Sequence, residues 1–450
     1  MVRFTDIRQW TGTGSRWRAI AVAGCLVAGV AACSSSSSSS SSSQPASSAP
    51  AASSAPAASS PAGGGLVSDY HAYVGGNGKA DASLSPVTIG FLNQQGGPPT
   101  QNFPQSTAAA NAVVKMINTE LGGVHGHPVQ LTTCFIKSSE AEGTTCGQKF
   151  LNAKGVQVIA DGIQAVGNAS MYSVLKGAIP VLIGVSANPA DDTAKNVFEL
   201  EGSGTSATVA FGPFLKSQYP NAHTIAIAYA NQPGALPISD AMKSSFTKSG
   251  FTVTMLPYSP NATDLLGPVT QMEQADIAVP ACGFVDCPLV AKAIHQISGT
   301  KPVLSVPLWT FLPPPAYPGG DLPKWLVGEA TANLAYTAAP DVGAYFAKSA
   351  QYGLSHADAL SPFSGVAWGN ILLAVKLMNQ IPFDQITPDA VSAKLKTYSG
   401  GIPLGPPSIN CSGTLFPAAP AACSVSDQFF IYNGGGQWKL LQAWTKQPGS

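Results

Sequence analysis

Charge is scarce in this chain. Asp, Glu, Lys and Arg together make up 10% of 450 residues, against roughly a quarter in an ordinary soluble domain. The 23 basic and 23 acidic side chains cancel, so composition offers no electrostatic case for binding nucleic acid. Catalytic signatures are missing as well: there is no His-Glu-x-x-His zinc helix, no phosphate-binding loop and no dinucleotide fingerprint. Gly202-Ser203-Gly204-Thr205 reads as a helix lead-in. Gly184-Val185-Ser186-Ala187-Asn188 approaches a nucleophile elbow but lacks its closing glycine. No His and Asp partners stand out for it, and a hydrolase using Ser186 is therefore the disfavoured alternative. Downstream of the N-terminus no apolar run reaches membrane length, because Lys376 breaks the longest one. The expectation is a protein that holds a ligand, not an enzyme, with no cofactor and no metal.

What is present begins with an export signal. Arg3, Arg8, Arg16 and Arg18 precede an apolar run from Ala19 to Ala32, which is too short to span a bilayer comfortably. It ends in Val30-Ala31-Ala32-Cys33, similar to a bacterial lipobox, whose cysteine is acylated. The alternative is an ordinary secretory peptide in which Cys33 is incidental. More than one acyl chain on Cys33 would give stable anchoring to the outer face of the cytoplasmic membrane. Residues 1-33 are thus assigned to the signal and lipidated cysteine, and 34-85 to a tether and lead-in. Ser34 to Ser43 is an unbroken serine run followed by Ala/Ser/Pro repeats, and such a segment has nothing with which to bury a core. Leu66 to Ser85 carries Tyr70, His71 and Tyr73 and receives no assignment.

Of eight cysteines, six remain after Cys25 and Cys33 are set aside. They fall in three local pairs, Cys134 with Cys146, Cys282 with Cys287, and Cys411 with Cys423. In an exported protein these read best as disulfides, although six cysteines permit 15 pairings. A zinc site is the rival, and the six histidines do not supply its spacing.

From Pro86 onward, short apolar strands alternate with helical segments. Strands begin at Val87, Val129, Val156 and Val181, with helices between them at Ser106 to Leu121, Ser139 to Asn152 and Asn168 to Leu175. The alternation restarts beyond Gly204, with strands near Thr224, Thr252, Asp276 and Val303. Such a pattern means right-handed crossovers and mostly parallel sheets, an α/β fold. In open sheets of this kind, ligands sit at the loops leaving the carboxyl ends of the strands. Asp161 to Asn168 and Val185 to Asn188 are two such loops.

Four stretches carry a resemblance: VTIGFLNQQGGP, AAANAVVKMINTELGGVHGHPVQL, KGVQVIADGIQAVGNAS and AIPVLIGVSANP. In order and spacing they resemble the type I periplasmic binding proteins, in the leucine/isoleucine/valine-binding branch that serves ABC importers. The likeness spans about residues 86 to 443 and weakens after Leu308. It implies two Rossmann-like lobes with parallel sheets, joined by three crossing segments near Leu200, Asn333 and Ser426. Lobe I would comprise 86-200 plus 334-425, and lobe II 201-333 plus 426-450. Ligand would sit between them and favour a closed form recognised by a permease and ATPase complex; a monomer is expected.

Carried over position by position, the implied pocket falls on Asn102 and Phe103, on Gln164 and Ala165, and on Ser186, Ala187 and Asn188. In the second lobe it falls on Tyr229, Phe284, and Leu308 or Trp309. Phe284 and Trp309 are equally readable as lobe core, and Asn188 before Pro189 as a turn former. Where amino-acid binders carry a threonine this chain has Ala187, and their acidic position falls on Leu308 or Trp309. An unpaired ammonium would be costly in such a pocket. The expected ligand is therefore neutral and apolar or aromatic, with a branched-chain amino acid as one alternative and a sensory lipoprotein without transport as another.

Overall fold

The structure is a computed structural model that describes residues 66–98, 102–184, 186–232, 235–283 and 285–446. Cys33, the tether and Phe284 lie outside the described residues. A short helix, α1 (Tyr70–Val74), precedes a run of β1 (Val87–Gln94), α2 (Pro104–Thr119), β2 (Val129–Ile136), α3 (Glu140–Asn152), β3 (Val156–Asp161), α4 (Asn168–Leu175), β4 (Val181–Ile183) and β5 (Val197–Glu199). All four pairings in this sheet are parallel, in the order β2-β1-β3-β4-β5. The three-residue β5 has no counterpart in the sequence reading, since so short a strand carries no periodicity to detect.

A second run follows, with α5 (Phe211–Gln218), β6 (Thr224–Ala230), α6 (Leu236–Lys248), β7 (Thr252–Tyr258), α7 (Leu266–Met272), β8 (Ile277–Ala281), α8 (Cys287–Gln296), β9 (Leu304–Ser305) and β10 (Leu326–Glu329). Strands β7-β6-β8 are parallel, and a parallel bridge from Ala278 to Val303 leads on to β9 and β10. The last helices are α9 (Pro340–Gln351), α10 (His356–Ala359), α11 (Pro362–Asn379) and α12 (Pro388–Thr397), and β11 (Gln428–Tyr432) and β12 (Trp438–Gln442) then complete the second sheet as antiparallel strands.

Each sheet is covered on both faces, which is why its strands read as continuous apolar runs rather than as alternation. On β1, Val87, Ile89 and Phe91 enter one core with α2 and α11, while Leu92 joins the opposite one with Phe150 and Met171. On β6, Ala226 and Ala228 face a core containing Trp309 and Trp325, and Ile225 and Ile227 face one built on Phe211 and Phe246. The chain therefore has two lobes, each an α/β sandwich. Helices α9 to α12 pack with the first lobe although they follow the second in sequence.

Helix α11 holds the first lobe together. Fourteen of its 18 residues are buried, so it is apolar all round instead of amphipathic, as a central helix must be. Among the described residues no helix is long and apolar enough to cross a membrane. Trp368 is fully buried and meets Tyr345 edge-on at 5.3 Å and Tyr70 at 6.1 Å.

The lead-in that received no assignment is part of this lobe. Tyr70, Tyr73 and Val74 enter its core. Lys376 donates to the Tyr73 carbonyl at 2.8 Å, with its ammonium 4.4 Å from the Tyr73 ring centre. Asn379 donates to the Val74 carbonyl at 3.0 Å. The lysine that interrupts α11's apolar run is thus the one that fastens α1.

The expected cysteine pairs are all bonded: Cys134–Cys146, Cys282–Cys287 and Cys411–Cys423.

Candidate functional site

In the first lobe, three loops gather at the carboxyl ends of β1, β3 and β4. The loop after β1 closes on itself: the Asn102 side chain accepts from the Gly96 amide at 2.8 Å, and Asn93 donates to the Phe103 carbonyl at 2.8 Å. Asn102 therefore serves its own loop. The Phe103 ring is half-buried and meets Phe363 at 4.9 Å, edge to face.

The loop after β3 is seated by close helix packing. A Cβ on Gly143 of α3 would lie 2.0 Å from the Gly167 carbonyl oxygen, so only glycine lets α3 approach the start of α4. Gln164 is 1% exposed, donates to the Val166 carbonyl, and accepts at its own carbonyl from Asn168 at 3.0 Å. The Gln164 amide expected to reach ligand is instead turned inward, because an irregular loop must satisfy its own backbone groups. Ala165 remains exposed, with its amide donating to Gln94 at 3.0 Å.

The loop after β4 hangs on one carboxyl that the sequence did not single out. Asp191, 1% exposed, accepts from the Ala187 and Asn188 amides at 3.1 and 2.9 Å, from the Asn168 side chain at 2.6 Å and from the Tyr172 hydroxyl at 2.7 Å. Burial nevertheless pushes its carboxyl above the usual range. Asn188 also donates to the Ala165 carbonyl at 3.3 Å, so the two loops expected to flank the ligand touch. The Ser186 side chain is half-buried and makes no hydrogen bond to other described residues.

Beneath these loops lie further acids. Asp161 is held well above its ordinary value by burial and by Asp191, and Glu199 is pushed up to about 10 by burial, with Asp192 adding repulsion. Glu201, raised by burial alone, is wedged near Gly184 and Gly405. Among the described residues, no group of three His, Cys, Asp or Glu side chains could hold a metal ion.

In the second lobe, Tyr229 is half-buried at the end of β6, in register with Pro257 and Ala281. Val285, beside Phe284, is 77% exposed. Its loop is closed by Cys282–Cys287 and by Asp286, which accepts from the Gly283 amide at 2.6 Å and the Tyr258 hydroxyl at 2.5 Å.

Trp309 does not line a cleft. It has no exposed surface, lies 5.5 Å from Trp325 and 5.8 Å from Trp438, and belongs to the lobe's core. Its bulk suits a cavity better than an edge. Two residues on, in the same 3₁₀ turn Pro307–Phe311, the half-buried Phe311 reaches the first lobe and meets Phe363 at 5.6 Å.

Phe363 and Phe311 are the residues that sequence reasoning missed. Phe363 follows Pro362 at the start of α11, distant in sequence from every loop named above, so no spacing could flag it. Helix α11 is aimed there by Asn370, which donates to the Asp161 carbonyl at 2.9 Å, and Gln105 bonds Ser361 at 3.3 Å.

Residues 86–413 match the model of the periplasmic binding protein family. No protein of curated function matches. Similar solved structures include an ABC transporter substrate-binding protein from Sphaerobacter thermophilus, with 14% identity, TM-score 0.65, and coverage of 81% of this chain and 98% of that one. A leucine-binding protein from Thermotoga maritima shares 12% identity at TM-score 0.61, covering 80% and 99%. A solute-binding protein of an ABC transporter from R. palustris, in complex with 4-hydroxybenzoate, shares 16% at TM-score 0.63, covering 81% and 98%.

Proposed function

Because the chain belongs to the periplasmic binding protein family, we propose that it is an exported lipoprotein that captures a small organic ligand between its two lobes and delivers it to an ABC importer. The lobes of this reading are residues 86-200 with 334-425 and residues 201-333 with 426-450. Cys33 carries the lipid, and the serine-rich segment spaces the folded part from the membrane. The permease and ATPase are the partners, the binding protein acts as a monomer, and it catalyses nothing.

The observation that supports capture is the meeting of Phe363 of the first lobe, which also touches Phe103, with Phe311 of the second, at the carboxyl ends of both sheets. The same rings support a neutral apolar or aromatic ligand. So does Ala187, which offers no hydroxyl to a carboxylate and whose amide is already given to Asp191. Ser186, Asn188 and Tyr229 are further polar side chains at the loop ends, and the Ser186 hydroxyl makes no hydrogen bond among the described residues.

Thermal-shift screening of the purified protein against amides, aromatic acids, larger apolar compounds and branched-chain amino acids tests this. A compound bound only by the folded state raises the melting temperature in a concentration-dependent way. Amides or aromatic compounds are expected to do so, and a strong shift with leucine or valine would establish the amino-acid reading instead. Mass spectrometry of the membrane-extracted protein should find an acylated Cys33.

A further inference from the structure

We propose that Phe103, Phe311 and Phe363 form a two-sided aromatic seat that makes the clamp prefer a planar ring, with Phe363 as the specificity-determining residue. The inference rests on the capture reading above and adds to it which side chains select the ligand.

Large aromatic side chains usually earn their place in a core, and the other phenylalanines deep in the sheets do so. These three are different: all are half-buried, and none belongs to any of the four hydrophobic cores. Phe363 meets both of the others. Phe363 stands between the other two, at 4.9 Å and 69° from Phe103 and at 5.6 Å and 68° from Phe311. Two edge-to-face contacts on one ring are a geometry that a fourth planar ring, the ligand's, can join without losing quadrupole attraction, whereas a saturated ring of the same size gains only contact area.

Each member is also held from behind, so each ring is positioned on its own lobe before ligand arrives. Phe103 is fixed through its backbone, donating to Gln94 at 3.0 Å and accepting from Asn93. Phe311 rides on a turn whose buried anchor is Trp309, and the Tyr317 hydroxyl donates to the Trp309 carbonyl at 2.9 Å. Phe363 sits on the first turn of α11, the most buried helix of its lobe. The rings come from both lobes, so ring contact and lobe closure are one event. Among the described residues, the Phe383 ring meets only histidines of its own lobe, His127 stacked at 3.7 Å and His125 edge-on at 6.4 Å, and is 39% exposed.

The test measures binding of benzamide, cyclohexanecarboxamide and leucine to the full-length protein in detergent, by calorimetry and thermal shift, with small-angle scattering to follow compaction. Wild type should bind benzamide about three- to tenfold tighter than its saturated counterpart, the range expected of an aromatic pair. Phe363→Leu keeps the apolar volume and should erase that ratio, while binding of the saturated amide changes less than about twofold. Phe383→Leu should leave the ratio unchanged. An unaltered ratio in Phe363→Leu, or a wild type that binds the saturated ring as tightly, would overturn the seat while leaving capture intact. If no compound shifts melting or compacts the protein, the capture reading falls and the seat with it. An unchanged melting temperature for ligand-free Phe363→Leu confirms that the variant folds.

Discussion

The loop after β4 in the first lobe and the loop after β8 in the second are fastened by the same chemistry. In each, an aspartate accepts from the loop's backbone and from a tyrosine hydroxyl: Asp191 from two amides and Tyr172, Asp286 from one amide and Tyr258. They differ in depth. Asp191 is buried and gathers four donors, whereas Asp286 is half-buried, gathers two, and is supplemented by the Cys282–Cys287 bond around the same loop. Hydrogen bonds strengthen where water cannot compete for them. The deep loop is therefore rigid without covalent help, and the shallow one needs its disulfide.

Four measurements sharpen that contrast. The largest effect comes from pH, because each lobe also buries an acid whose proton the folded state retains. Glu199 beneath the first-lobe loop is raised to about 10 and Glu329 on β10 to about 8, both by burial. The advantage of the neutral form is complete below the unfolded-state value of 4.5 and is lost as pH rises through the folded value. Stability should thus fall as pH rises, by up to about 4 kcal/mol per acid between about pH 5 and 8. Glu329→Gln should flatten the decline below about pH 8, and Glu199→Gln up to about pH 10. Urea unfolding across that range reads both, and a profile that neither variant flattens would show the two acids to be ionised.

Next in size is removal of the pins. Asp191→Ala leaves several buried donors unpaired and should cost about 3 kcal/mol, against about 1 kcal/mol for Asp286→Ala. Equal costs would erase the distinction in depth. Replacing both Cys282 and Cys287 by serine should cost about 2 kcal/mol, as expected for so short a closed loop. The smallest expected effect is Tyr172→Phe or Tyr258→Phe, about 1 kcal/mol each; hydrogen exchange at the Asn188 and Gly283 amides reports which loop loosens.

Much of the α/β fold was legible because parallel strands buried on both faces leave apolar runs separated by helical spacing. Val181–Ile183 and Asn168–Leu175 fall where the pattern put them. The lead-in was not legible, since five helical residues around Tyr70 and Tyr73 carry no periodicity and their partners, Lys376 and Asn379, are some 300 residues away. The loops leaving the strand ends could be located, but side-chain direction could not. Gln164 turns into its own loop, and Trp309 fills a core while Phe311 takes the edge. Phe363 needed the return of α11 to the first lobe, a tertiary fact with no local signature.

The docked lead-in has a mechanical consequence. Tension applied to the chain upstream of Leu66 passes through Tyr70 and Tyr73 into α11, where Lys376, Asn379 and Trp368 take the load. Helix α11 belongs to the first lobe, so that lobe receives the load first. The second lobe joins it through the crossing segments and the Phe311–Phe363 contact, neither of which lies on the path from α1 to α11, so a pull at Leu66 loads the first lobe before it reaches the second.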